Sequence, residues 1–255
     1  MSPDRRSKGV PFQVARDGRA SWRPGRLGSV VVEELAHRII GGDLAEGDIL
    51  PTEPALCEQF GFSRTVIREG VKLLEERGLV RVEQGRGTTV QPRDAWNLLD
   101  PVVIRIALEY DGDMRLLDSL IEVRRVLECE MARAAAGRLT GDQLAELVTR
   151  IERMEASYDQ YGVFRQYDQA FHRIVMKASG NEVGLTIVGA IHRHGDVRPA
   201  LSAALSTREG LERTVRDHRA VYEALAAGDG ERAAALIDSH IRGAWAERRG
   251  LQPGT

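Results

Sequence analysis

The chain has 255 residues, 42% of them hydrophobic, and a formal net charge of -2. That length suits one large or two modest domains with real cores, and the charge excludes a bulk polycation, so any nucleic-acid binding must come from local basic patches. No apolar run approaches a membrane span, and the first residues lack the apolar core of a signal peptide, so a cytoplasmic protein with no membrane partner is expected.

Residues 1–26 are rich in Arg, Gly, Pro and Ser and bury too little apolar surface to order themselves. They read as a basic tail, either an arm for phosphate contacts or a solvated leader. From Leu27 to Ile40 the spacing of Val31, Leu35 and Ile39 is helical, and Gly41-Gly42 ends the helix. Thr52 is placed to cap a second helix, with Pro54 tolerated in its first turn and Gly61 as its stop. Ser63 then caps a third, in which Ile67, Val71 and Leu74 face inward and Arg64, Arg68 and Lys72 share the opposite face. Gly78 ends it. A strand at 79–82, a tight turn at Gln84-Gly85-Arg86-Gly87 and a return strand at 88–90 follow.

A short helix turning into a second, basic-faced helix is a helix-turn-helix layout, whose second helix lies in the major groove of double-stranded DNA. Arg64 and Arg68 then sit at base edges, Thr65 bonds either a base or a phosphate, Ser63 and Lys72 belong to the same DNA-binding face, and Gln84, Gly85 and Arg86 form a wing tip from which Arg86 reaches a groove or phosphate. One winged helix reads a half-site, so a homodimer on a palindromic operator is expected.

Residues 93–112 read as a linker and short helix, with Asp100 as cap, Pro101 at the first position, and Trp96, Leu98 and Leu99 packing between domains. From 113 to 250 the period is helical almost throughout, with helices near 113–137, 140–160, 162–179, 181–194, 196–205, 208–226 and 230–249. The fold class is mostly α: a winged helix-turn-helix at 27–92, then an all-α antiparallel bundle. Cys57 and Cys129, far apart on apolar faces, read as buried, reduced thiols.

Two features of the bundle carry chemistry. Asp168 and His172 are four apart and share a helical face, as two ligands of one metal or as a surface pair. His218 and His240 each lie 11 residues from Asp229, so a hairpin turning at Gly228-Asp229-Gly230 sets them side by side, roughly 16 Å from the turn. One carboxylate with three imidazoles suits a divalent transition metal, zinc foremost, with Ni, Co, Mn or Fe as alternatives, more than Mg or Ca. Arg124 could pair an anionic ligand or simply bridge to Glu128. Asn181 could bond ligand hydroxyls or cap a helix. His194 could line a pocket, whereas His192 is expected at the surface.

The stretch Leu50-Pro51-Thr52-Glu53, Leu56, Phe60, Ser63-Arg64-Thr65, Val66, Arg68-Glu69, Leu74-Glu75, Gly78-Leu79-Val80 and Gly85-Arg86-Gly87-Thr88 resembles the winged helix of GntR-type bacterial transcription regulators. Many members carry Arg where this chain has Pro54, so one DNA contact implied by the resemblance is missing. Glu122, Arg124, Leu127, Glu128, Asp168, Phe171, His172, Ser179, Asn181, His218 and His240 resemble the FCD ligand-sensing domain of the FadR branch. That resemblance implies a metal held by Asp168, His172, His218 and His240, and a small organic-acid effector beside it. Trp96-Asn97-Leu98-Leu99-Asp100 further resembles members that sense galactonate and similar sugar acids. Against this regulator stand a sensor of metal alone and a metal-dependent hydrolase; the hydrolase lacks an H-E-x-x-H pattern and an evident general base.

Overall fold

A computed structural model of the chain describes residues 24–194 and 207–250. Most of the basic tail and the helix expected at 196–205 lie outside the described residues. The chain divides into two compact units between Ile106 and Ala107.

In the first unit, α1 (Pro24–Ile40) packs on α3 (Arg64–Glu76), and α2 (Glu53–Phe60) leans on α3 as well. Val31, Leu35 and Ile39 of α1 are buried with Ile67, Val71 and Leu74 of α3. Each such side chain stabilises the unit by about 1.5–3 kcal/mol on burial. The helices come this close because α3 carries Gly70, where a Cβ would stand 2.8 Å from Val31 Cγ1. Ser63 Oγ accepts from the Val66 N–H and caps α3. Thr52 holds the cap position of α2 but makes no side-chain cap bond.

Gly78 turns the chain out of α3 with φ +72, and a Cβ there would lie 2.0 Å from the Ala95 carbonyl oxygen. The wing follows as β1 (Val80–Glu83) and β2 (Gly87–Val90), antiparallel, with Val80 opposite Val90 and Glu83 opposite Gly87. The strands run one residue further toward the tip than the sequence spacing suggests, so the loop is Gln84-Gly85-Arg86. The Val82 N–H donates to Glu75 Oε1 at 2.9 Å and ties the wing to α3.

A 3-10 turn at Arg93–Ala95 leads into α4 (Pro101–Glu109). Asp100 Oδ1 accepts from the Val102 and Val103 N–H groups, as a cap should. Trp96 and Leu98, expected between domains, instead pack on the first unit's own core. Trp96 Nε1 donates to the Gln91 carbonyl. Leu99 is exposed.

In the second unit the described residues form helices and no strand: α5 (Arg115–Ala135), α6 (Gly141–Glu155), α7 (Tyr161–Ala178), α8 (Glu182–His194), α9 (Arg208–Ala226) and α10 (Gly230–Arg248). The first of these starts at Arg115, two residues later than the expected start at Asp113. The buried Asp111 carboxylate accepts from the Leu116 and Leu117 N–H groups, and Met114 takes a left-handed turn to allow it. Thr140 and Gln143 form a capping box at α6. Thr207 and Asp229 cap α9 and α10. The core joins Met131, Leu147, Ile151, Met154, Phe171 and Ile237. Here α5 packs along α10, α6 along α7, and α9 along α10. Both cysteines are free and half-buried, rather than fully buried.

Candidate nucleic-acid interface and metal centre

The exposed face of α3 presents Ser63, Arg64, Thr65, Arg68 and Lys72, and the wing tip presents Gln84, Gly85 and Arg86. Between α3 and the wing runs a groove lined by Thr52, Glu53, Arg68, Lys72 and Arg86. The cations on this face are lightly held. Lys72 lies 3.8 Å from Glu76, and Arg86 lies 3.7 Å from Glu83. Such exposed pairs contribute about 0–1 kcal/mol, so phosphate oxygens can replace the carboxylates at little cost. Arg68 is held more firmly, with Nε 2.9 and 3.0 Å from the two Glu53 oxygens. Sequence reasoning missed Glu53 because the pair is 15 residues apart and on different helices.

In the second unit Asp168 and His172 come from α7, His218 from α9 and His240 from α10. Their candidate ligand atoms all lie within 4.8 Å of one another. His218 Nε2 is 3.3 Å from His172 Nε2 and 3.4 Å from Asp168 Oδ1, and His172 Nε2 is 3.8 Å from the same oxygen. Ligands about 2.1 Å from a tetrahedral metal stand about 3.4 Å apart, so the spacing fits one ion. The helical hairpin sets the His218 and His240 rings 4.7 Å apart, as their equal distance from Asp229 requires.

The remaining nitrogens are directed as well. His218 Nδ1 donates to the Thr214 carbonyl at 2.7 Å, and His240 Nδ1 to Asp217 Oδ2 at 3.2 Å. His172 Nδ1 lies 2.6 Å from Glu128 Oε2, an ion-pair distance whose angle falls short of a well-aligned hydrogen bond. With Nδ1 facing an acceptor in all three rings, Nε2 is left with its lone pair turned inward. Burial pushes His218 down to about 3, with His240 adding to the effect. Burial likewise lowers His240. Burial alone would raise the Asp168 carboxyl, but the surrounding imidazoles hold it well below the usual carboxylate range. At neutral pH His218 and His240 are therefore neutral and the carboxylate ionised, the state that metal ligation needs.

Arg124 Nε donates to Glu128 Oε1 at 2.6 Å, the bridge weighed from sequence. It also lines a cavity of about 50 Å³ beside Asp168 and His240, shared with Tyr161, Arg213 and Thr214. Asn181 stands apart from that cavity. Its Oδ1 accepts from the Gly184 N–H at 2.9 Å and caps α8. The His194 side chain lies outside the described residues. His192, expected at the surface, is inside: Nε2 lies 2.9 Å from Glu128 Oε1, and burial pushes this imidazole down to about 4. The sequence held no sign of this, because α8 must first pack on α5.

Residues 27–90 match the family model for bacterial regulatory proteins of the gntR family, and residues 119–243 match the FCD domain. The galactonate operon transcriptional repressor of Escherichia coli (strain K12) is 32% identical over 80% of this chain and 88% of its own length. The Glc operon transcriptional activator of the same strain is 34% identical over 60% of this chain and 61% of its own. Among solved structures, one of Lar, which controls the expression of the Listeria monocytogenes agr system, superposes with TM-score 0.56. It is 21% identical over 89% of this chain and 98% of that one, a likeness of fold. Among the described residues, no helix is long and apolar enough to cross a membrane. These relatives are regulators of transcription and not enzymes, and the chain belongs with them to the GntR family of DNA-binding transcription regulators, with an FCD domain as its second part.

Proposed function

We propose that the protein is a repressor that binds a palindromic duplex operator as a homodimer, and that a small organic or sugar acid modulates this binding from beside a divalent metal in the helical unit. Residues 27–92 form the DNA-binding part, 93–112 a connection and 113–250 the sensor, with 1–26 as a basic tail. Arg64, Thr65 and Arg68 read base edges. Lys72 and the wing residues Gln84, Gly85 and Arg86 meet the backbone. Genomic DNA as partner places the protein in the cytoplasm. The name of the galactonate operon repressor favours repression and a sugar acid.

One observation carries the reading of the sensor: Asp168 and His240 of the four-residue cluster line the same cavity as Arg124. The donor set, one carboxylate and three imidazoles, suits zinc first and Ni, Co, Mn or Fe as alternatives. When bound, the metal supplies a Lewis-acidic cation for a carboxylate or hydroxyl oxygen of the effector. Asp168, at 22% exposure the most open of the four, stands on the cavity side. Arg124 offers a planar donor fork to the effector carboxylate. By linkage, an acid that prefers the DNA-free form weakens operator binding by the factor with which DNA weakens acid binding.

A second reading, a sensor of metal alone, has the cavity's size in its favour, since about 50 Å³ holds only a few waters. The acid reading therefore requires the lining side chains to move apart on binding. Elemental analysis and melting temperatures of metal-loaded protein against a panel of sugar acids and small carboxylates decide between the two. A selective rise of a few degrees supports the acid sensor. No shift with any acid, while DNA affinity follows metal loading, supports the metal sensor.

A further inference from the structure

Glu128 is the one carboxylate of the second unit that is wholly buried among the described residues, and it stands outside the four candidate ligands. It lies on α5, whereas the ligands come from α7, α9 and α10. Its two oxygens meet groups from three helices. Oε2 lies 2.6 Å from His172 Nδ1 on α7, and Oε1 lies 2.6 Å from Arg124 Nε on α5 and 2.9 Å from His192 Nε2 on α8.

The three ligand imidazoles are held in unlike ways. His218 is fixed by a carbonyl of its own helix, one turn back, and needs no other element. His240 leans on Asp217, which is one-third exposed and shares its charge with water. His172 alone is backed by a carboxylate cut off from solvent. A carboxylate behind the outer nitrogen fixes the ring's tautomer and rotation and makes the inner nitrogen a stronger donor. The effect is larger where water cannot screen it.

We propose that Glu128 is the positioning carboxylate of the centre: it aims His172 Nε2 at the point shared with Asp168, His218 and His240, and joins that ring to Arg124 and His192. This rests on the metal reading given above. It has a consequence for the effector. Arg124 lines the cavity and gives its Nε to Glu128, so an anion drawn to the guanidinium shares it with the group that orients His172. Metal and anion affinities are thereby coupled through one side chain, and by linkage the coupling is equal in both directions.

Zn2+ affinity, measured on the full chain by competition with a chromophoric chelator, tests this. Glu128→Gln keeps the volume and removes the charge. It should weaken Zn2+ binding by about 10- to 100-fold, the usual loss for an outer partner of a metal ligand. The visible spectrum of the Co2+-loaded variant should differ from wild type, because one imidazole is re-aimed. A purely structural Glu128 would lower the melting temperature of metal-free protein and leave Zn2+ affinity and the Co2+ spectrum unchanged; that result overturns the proposal. Should Glu128→Gln not fold, Glu128→Asp, which keeps the charge but withdraws the oxygens, is read in the same way. Unchanged affinity in that folded variant is equally fatal. A wild type that takes up no metal overturns the metal reading and this role together. A wild type that binds beside an equally avid Glu128→Gln overturns only the role of Glu128.

Discussion

Replacing Asp168 by asparagine should nearly abolish the stabilisation that metal confers, while leaving the metal-free protein folded. Asp168 is the most open ligand, its side chain 22% exposed, so the change creates no cavity and buries no new charge. It removes the only anionic ligand, the oxygen 3.4 Å from His218 Nε2 and 3.8 Å from His172 Nε2. With free metal at about 100 times the wild-type dissociation constant, binding adds about 2.7 kcal/mol to stability. For a unit of this size that raises the melting temperature by roughly 5–11 °C. If the lost charge weakens affinity about 100-fold, the same metal concentration only half-fills the variant and adds about 0.4 kcal/mol, or roughly 1–2 °C. Scanning both proteins with and without Zn2+, with elemental analysis of each, measures the difference. An asparagine variant that keeps the full rise would show that these four residues do not hold the ion.

On the DNA side, Arg68→Ala should weaken specific binding by about 1–3 kcal/mol and relax base preference at one position. An unchanged gel shift would remove Arg68 from the reading face. Arg86→Ala should lower affinity on all sequences and reduce the salt slope by about one if the wing tip meets phosphate. An identical slope would give that arginine another task. The buried imidazoles predict a pH effect on metal-free protein. His218 and His192, pushed down to about 3 and about 4, bind fewer protons when folded than the value near 6.5 gives them unfolded. The unfolded state therefore gains protons first, and stability falls as pH drops below about 6.5. Asp168 and Glu128, both lowered, add their loss only at more acid pH. A melting temperature that is flat between pH 7.5 and 5 would contradict the burial of these rings.

The parts of the site that the sequence made legible are those fixed by local geometry. Asp168 and His172 share a face because a helix repeats every 3.6 residues. His218 and His240 meet because a hairpin pairs positions equidistant from its turn. Ser63 caps α3 because the backbone after Gly61 leaves an N–H within reach of its hydroxyl. What was not legible depends on how helices pack. His192 looked like a surface residue until α8 was laid against α5, which brings it to Glu128. Glu53 could not be matched to Arg68 before α2 and α3 were crossed. The helical period put the start of α5 near residue 113, but the helix begins at Arg115 with Asp111 accepting from its first turn, because Met114 adopts a left-handed conformation that no local pattern announces. Trp96 and Leu98 read as apolar surface for a second domain, and the first unit's own core took them up.

In the proposed function, metal and acid bound in the second unit set the operator affinity of the first. The most direct test is the affinity of metal-loaded protein for a duplex selected from a random library, measured by fluorescence anisotropy with and without each acid that raises the melting temperature. Such an acid should shift operator affinity by about 5- to 150-fold, and stripping the metal or changing Asp168 to asparagine should remove the shift. An acid that binds and stabilises the metal-loaded protein yet leaves operator affinity unchanged would contradict it.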